Sequence, residues 1–77
     1  MKLKVELQIY LKEYSPNDSS RFDYELADGA TVLMLVDALG VPDELANIVI
    51  VEGESRDHAH KLKDGDHVIL IPPVAGG

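Results

Sequence analysis

Apolar and polar side chains alternate from the start of the chain: Leu3, Val5, Leu7, Ile9 and Leu11 fall between Lys2, Lys4, Glu6, Gln8, Tyr10 and Lys12. A period of two puts successive side chains on opposite faces of an extended backbone, so the pattern predicts a strand with one buried face running through to Leu11. Turn formers crowd Ser15-Pro16-Asn17-Asp18-Ser19-Ser20, and a second alternation then sets Phe22, Tyr24 and Leu26 against Arg21, Asp23 and Glu25. The two stretches predict a hairpin with a long loop. Beyond Asp28-Gly29-Ala30 the period changes: Val32, Leu35, Val36 and Leu39 recur at helical spacing, with Thr31 placed to cap the start and Gly40 to end the helix in a left-handed conformation. So short a helix is marginal alone and must be stabilised by packing its apolar stripe on the sheet; Met34 lies off that stripe, as a peripheral packing residue. Val41-Pro42-Asp43-Glu44-Leu45-Ala46 predicts one further helical turn with Pro42 in its first position.

Ile48-Val49-Ile50-Val51, within a strand expected over 47–52 and ended by Gly53, is a run of four apolar residues, which predicts at least partial cover on both faces. From Glu54 to Lys61 the chain is charged and irregular, with Leu62 expected to enter the core from a loop. Asp64-Gly65-Asp66 turns into a last apolar strand, Val68 to Ile71, which Pro72-Pro73 stops, because proline has no N–H for a ladder. Strand, strand, helix, strand, strand in so few residues predicts an α+β fold, a sheet with its helix on one face. The expected core is Leu3, Val5, Leu7, Ile9, Val32, Leu35, Val36, Leu39, Val68 and Leu70. With Val68 and Leu70 facing inward, Ile69 and Ile71 fall on the other face, joined there by Tyr10 or by part of the Ile48–Val51 run. That makes an exposed apolar patch, expected to have an acidic rim and to bind a partner.

The 77 residues allow one small domain and no large enzyme cleft. The absence of cysteine excludes disulfides, thiolate metal sites and cysteine nucleophiles and fits a reducing compartment. No apolar run is long enough to span a membrane and the start does not read as a signal peptide, so a cytoplasmic location is expected. Seven basic against fourteen acidic side chains give a formal net charge of −7, which repels nucleic acid and favours a basic protein surface as partner.

Three histidines, His58, His60 and His67, stand near Asp57, Asp64 and Asp66, but their spacing matches no metal motif, and they read as solvated loop residues. The serines lie in turn-like contexts and none forms a nucleophile elbow. No glycine-rich turn precedes a helix, so any ATP used is bound by another protein.

The chemistry concentrates at the chain's end. Residues 67–77 carry no acidic, lysine or arginine side chain, and from Pro72 onward Pro72-Pro73-Val74-Ala75-Gly76-Gly77 is thin enough to enter a narrow channel, with a reach of at most about 20 Å. The domain is expected over 1–71 and a flexible tail over 72–77. Taken together, Leu62-Lys63-Asp64-Gly65-Asp66, the apolar strand, Pro72-Pro73 and the final Gly76-Gly77 resemble the ubiquitin-like sulfur carriers, above all the small subunit of molybdopterin synthase and, more distantly, the thiamine sulfur carrier and ubiquitin.

The resemblance implies a β-grasp fold in which the first and last strands lie side by side and parallel at the centre of a mixed sheet of about four to five strands. It also implies that the chain is a covalent carrier and not itself an enzyme. The Gly77 carboxylate would be adenylated by a ubiquitin-activating-type adenylyltransferase using ATP, then converted by a sulfur donor to a thiocarboxylate. Sulfur would pass to a small molecule in the large subunit of molybdopterin synthase or an equivalent acceptor enzyme. Gly76 leaves room for approach to the α-phosphate, and Ile69, Ile71, Pro72, Pro73, Val74 and Ala75 are the expected partner contacts. The chain itself would hold no cofactor. A carrier for thiamine or another metabolite, an isopeptide-forming modifier and a non-covalent adaptor are the alternatives.

Overall fold

The computed structural model describes residues 1–73. Its strands are β1 (Lys2–Leu7), β2 (Arg21–Glu25), β3 (Ile48–Val51), β4 (Glu54–Ser55) and β5 (His67–Ile71), with one α-helix, α1 (Val32–Leu39), between β2 and β3. The sheet order is β2-β1-β5-β3-β4. β1 and β5 pair in parallel at its centre, with Val5 beside Val68 and Leu7 beside Leu70, while β2 flanks β1 and β3 flanks β5 in antiparallel fashion. This is the mixed sheet and single helix of the β-grasp fold.

One face of the sheet is closed by α1. Leu3, Val5 and Leu7 of β1, Val49 and Val51 of β3 and Val68 and Leu70 of β5 are buried together with Val32, Leu35 and Val36 of the helix. Leu39 is partly buried at the edge of this cluster, and Leu62 enters it from a loop. Thr31 caps the helix as its sequence position predicts, its hydroxyl accepting the Met34 N–H at 3.3 Å. Met34 is more than a peripheral packing residue: its sulfur accepts the Thr31 N–H at 3.4 Å, the role usually taken by Glu or Gln in a capping box. Gly40 ends the helix at φ 79°.

The segment expected to be irregular has a structural role. The carbonyls of His60 and His58 accept the Val32 and Leu33 N–H groups, each at 3.0 Å, supplying partners to two amides at the helix start that have no intrahelical acceptor. His58 Nε2 lies 2.7 Å from the Ala46 carbonyl, tying the loop to the turn before β3. His58 is therefore a strut of the helix–loop junction and not a solvated side chain, whereas half-buried His60 contributes through its carbonyl.

Four other expectations change. β1 stops at Leu7, and Ile9–Tyr14 forms a 3-10 helix that buries Leu11 and leaves Ile9 61% exposed, so Ile9 is not a core residue. Alternation continues past Leu7, but the ladder to β2 ends with Glu6 opposite Arg21. Pro42 precedes the short 3-10 turn Asp43–Leu45 instead of occupying its first position. β3 is followed by a tight hairpin to the two-residue β4, with φ 50° at Glu52 and 81° at Gly53, the positive pair that a two-residue hairpin loop requires. Finally, Pro72 is fully buried, so the body of the domain reaches beyond the expected boundary at Ile71. Lack of an N–H removes proline from the ladder but does not keep its ring out of the core.

Candidate functional site: the open sheet face and the end of β5

The face of the sheet opposite α1 has no second layer over it among the described residues. Burial alternates along β5, with Val68 and Leu70 inward and Ile69 and Ile71 half-exposed on the other side. The antiparallel register sets Ile71 opposite Ile48 and Ile69 opposite Ile50. Directly opposed residues share a face with Cβ atoms about 5 Å apart, so these four isoleucines form one apolar patch. Ile48 is 43% exposed and Ile50 half-buried, so this side of the Ile48–Val51 run is only partly covered and joins the patch, as its sequence allowed. Tyr10, 46% exposed, reaches the same end of the sheet, and its hydroxyl donates to the Pro73 carbonyl at 3.2 Å.

The rest of this face is charged but balanced. Lys2, Lys4 and Glu6 alternate with the buried residues of β1 and lie opposite Glu25, Asp23 and Arg21 of β2. Arg21 Nε is 3.1 Å from Glu6 Oε1, Gln8 donates to the other Glu6 oxygen at 2.9 Å, and Lys2 Nζ lies 3.7 Å from Asp23. Three cations therefore match three anions, and on this side the patch has no acidic rim. The net charge of −7 is carried by the other surfaces.

Of the sequence-predicted contact residues, the structure brings Ile69, Ile71 and Pro73 to one end of the open face and places Pro72 inside the domain. Val74, Ala75, Gly76 and Gly77 lie outside the described residues. The sequence offered part of the Ile48–Val51 run to this patch, and strand pairing selects Ile48 and Ile50 by setting them beside Ile71 and Ile69. Among the described residues no group of three or more histidine or acidic side chains is arranged to hold a metal, and no helix is long and apolar enough to cross a membrane.

A β-grasp sheet with one helix-covered face, one open apolar face and a central last strand leading toward a Gly-Gly sequence defines a ubiquitin-like protein. The chain belongs to the ThiS family, whose model matches residues 10–77, and is a ubiquitin-like sulfur carrier. SAMP1, the small archaeal modifier protein 1 of Haloferax volcanii, is 25% identical with a TM-score of 0.75, the match covering 100% of both chains. The HVO 2177 protein of the same organism is 26% identical with a TM-score of 0.80, over 100% of this chain and 87% of that one. A complex of subunits 1 and 2 of the Helicobacter pylori molybdopterin-converting factor supplies a third likeness of fold, 23% identical with a TM-score of 0.61 over 100% of both chains. A search of curated proteins finds no significant match.

Proposed function

We propose that the carboxyl group of Gly77 carries the sulfur, and that the open isoleucine face docks the enzymes that load and unload it. The observation that carries this reading is the path of β5. A strand held between β1 and β3 delivers the chain through a buried Pro72 to the edge of the apolar patch, four residues short of Gly77. A docked partner thereby receives the terminal residues at a defined point.

A carboxylate is a poor acyl donor until its oxygen is made a good leaving group. In the proposed sequence the Gly77 carboxylate attacks the α-phosphorus of ATP in an adenylyltransferase and pyrophosphate leaves. Hydrosulfide from the sulfur donor then attacks the carbonyl carbon, AMP leaves, and loss of the S–H proton gives a thiocarboxylate. The lack of a side chain at Gly76 and Gly77 permits close approach in an enclosed site, and the lack of acidic side chains over 67–77 avoids repulsion by the phosphates. In this reading the chain is a cytoplasmic carrier whose partners supply the catalysis. The likeness to subunit 1 of a molybdopterin-converting factor supports molybdopterin synthesis as the destination and a large synthase subunit as acceptor.

The deciding measurement is intact mass after incubation with each adenylyltransferase of the source cell, ATP and a sulfur donor. The expected product has one terminal oxygen replaced by sulfur, and deletion of Gly77 abolishes it without changing the melting temperature. If neither acyl-adenylate nor thiocarboxylate forms with any of them, the carrier chemistry assigned to Gly77 is wrong. The likeness to a protein named a modifier favours a second reading, conjugation through Gly77 to lysines of other proteins. Slower-migrating conjugates in cell extract, lost on deletion of Gly77, would establish it.

A further inference from the structure

The turn after β1 holds a strained backbone conformation. Gln8 still follows the sheet, its N–H donating to the Leu70 carbonyl at 3.1 Å, but Ile9 then adopts φ 57°. For a β-branched residue the left-handed region is a genuine outlier, and such strain persists only where surrounding structure holds it. Ile9 gains no burial in return, since it is one of the most exposed large apolar residues among those described. The turn's effect is to bring Tyr10 to the end of β5, where its hydroxyl meets the Pro73 carbonyl.

That hydrogen bond falls at a position with few alternatives. Neither Pro72 nor Pro73 has an N–H, so the main chain there can be held only through its carbonyls, and a donor must come from elsewhere. Pro72 is anchored by burial and Pro73 is exposed. The Tyr10 hydroxyl supplies the donor at the last point before the residues that carry the proposed chemistry.

We propose that the Ile9–Tyr10 turn is a guide for the chain's end, and that Tyr10 is a positioning residue for activation of the Gly77 carboxyl. It holds the Pro73 carbonyl in place, so that a partner docked on the isoleucine face meets the chain's exit from Pro73 at a fixed point. This role rests on the carrier reading above. Preorganisation of this kind acts on capture of the carrier more than on the chemical step, because ordering that is present beforehand need not be supplied on binding.

The test uses the full chain and its Tyr10→Phe variant with the adenylyltransferase that charges the wild type, read as ATP–pyrophosphate exchange. Loss of one hydrogen bond is expected to raise KM about three- to tenfold, with kcat nearly unchanged and the melting temperature preserved. Ile9→Gly, which keeps the hydroxyl but loosens the turn, is expected to shift KM in the same direction. Amide chemical shifts give a second readout that needs no enzyme: Tyr10→Phe should move the Val74 resonance while leaving those of β1 and β5 in place. Equal KM for wild type and Tyr10→Phe, with the wild type charged, overturns the guide and leaves the carrier reading standing. If no adenylyltransferase charges the wild type, the carrier reading fails and the assigned role fails with it, whatever the Val74 shift reports. A KM increase in Tyr10→Phe accompanied by an equal loss of kcat and a lower melting temperature marks a merely structural tyrosine and also overturns it.

Discussion

Ile69 lies between Ile50 across one ladder and Glu6 across the other, half-exposed on the open face. A carboxylate placed there meets an apolar neighbour and a like charge, yet it stays within reach of water. Ile69→Asp is therefore expected to retain the fold while weakening binding to the adenylyltransferase by about tenfold or more, the loss typical of a central contact residue. Calorimetric titration beside a circular-dichroism melt separates the two effects, and unchanged affinity would remove Ile69 from the docking surface. Ile9 is the opposite case, an isoleucine whose side chain contributes little burial and whose backbone is unfavourable. Asparagine tolerates the left-handed region better, so Ile9→Asn is expected to stabilise the domain by about 0.5 to 1 kcal/mol. A higher urea midpoint at constant slope is the check; a lower one would mean that the Ile9 side chain holds the turn.

Among the elements, α1 depends most on its surroundings. Eight residues are too few for a helix to persist alone in water. It is held at its start by the Thr31–Met34 capping box and by the carbonyls of His58 and His60, at its end by Gly40, and along its length by Val32, Leu35 and Val36 on the sheet. Leu35 is fully buried, so Leu35→Ala removes transfer energy and leaves a cavity, with an expected loss of about 2 to 5 kcal/mol, a large share of a small domain's stability. An unchanged urea midpoint would show that the sheet, not the helix stripe, supplies most of the core. The strands meet a different demand. β2 and β4 form the two edges: the first carries Arg21, Asp23 and Glu25 outward, and the second is only two residues long. Charge and brevity both discourage pairing with a second sheet.

For the whole molecule, charge is segregated by surface. The open face carries balanced ions beside an apolar patch, whereas the net charge of −7 resides elsewhere. Long-range attraction to a basic partner then speeds encounter, while the contact itself is mainly apolar. Raising ionic strength should slow association with the adenylyltransferase and leave dissociation nearly constant, as stopped-flow traces at two salt concentrations would record. Equal changes in both rates would place the charged groups inside the contact.

The helix stripe, its Thr31 cap, the left-handed Gly40 and the final strand from Val68 to Ile71 follow from local rules, and the sequence alone determines them. Side-chain period and backbone stereochemistry are properties of neighbouring residues, and here the tertiary structure agrees with them. Proline likewise stops the ladder wherever it occurs. The parallel pairing of β1 with β5 entered through family resemblance, since no local pattern records which distant strands meet. The sequence reading fails at Ile9, Pro72 and His58, where burial and backbone path depend on what distant parts of the chain pack against them. Alternation reports which residues lie on the same face, but not where a ladder ends or whether another layer covers that face. One helix covers one side of this sheet, and only the long-range pairing of β3 with β5 makes Ile48, Ile50, Ile69 and Ile71 a single open surface.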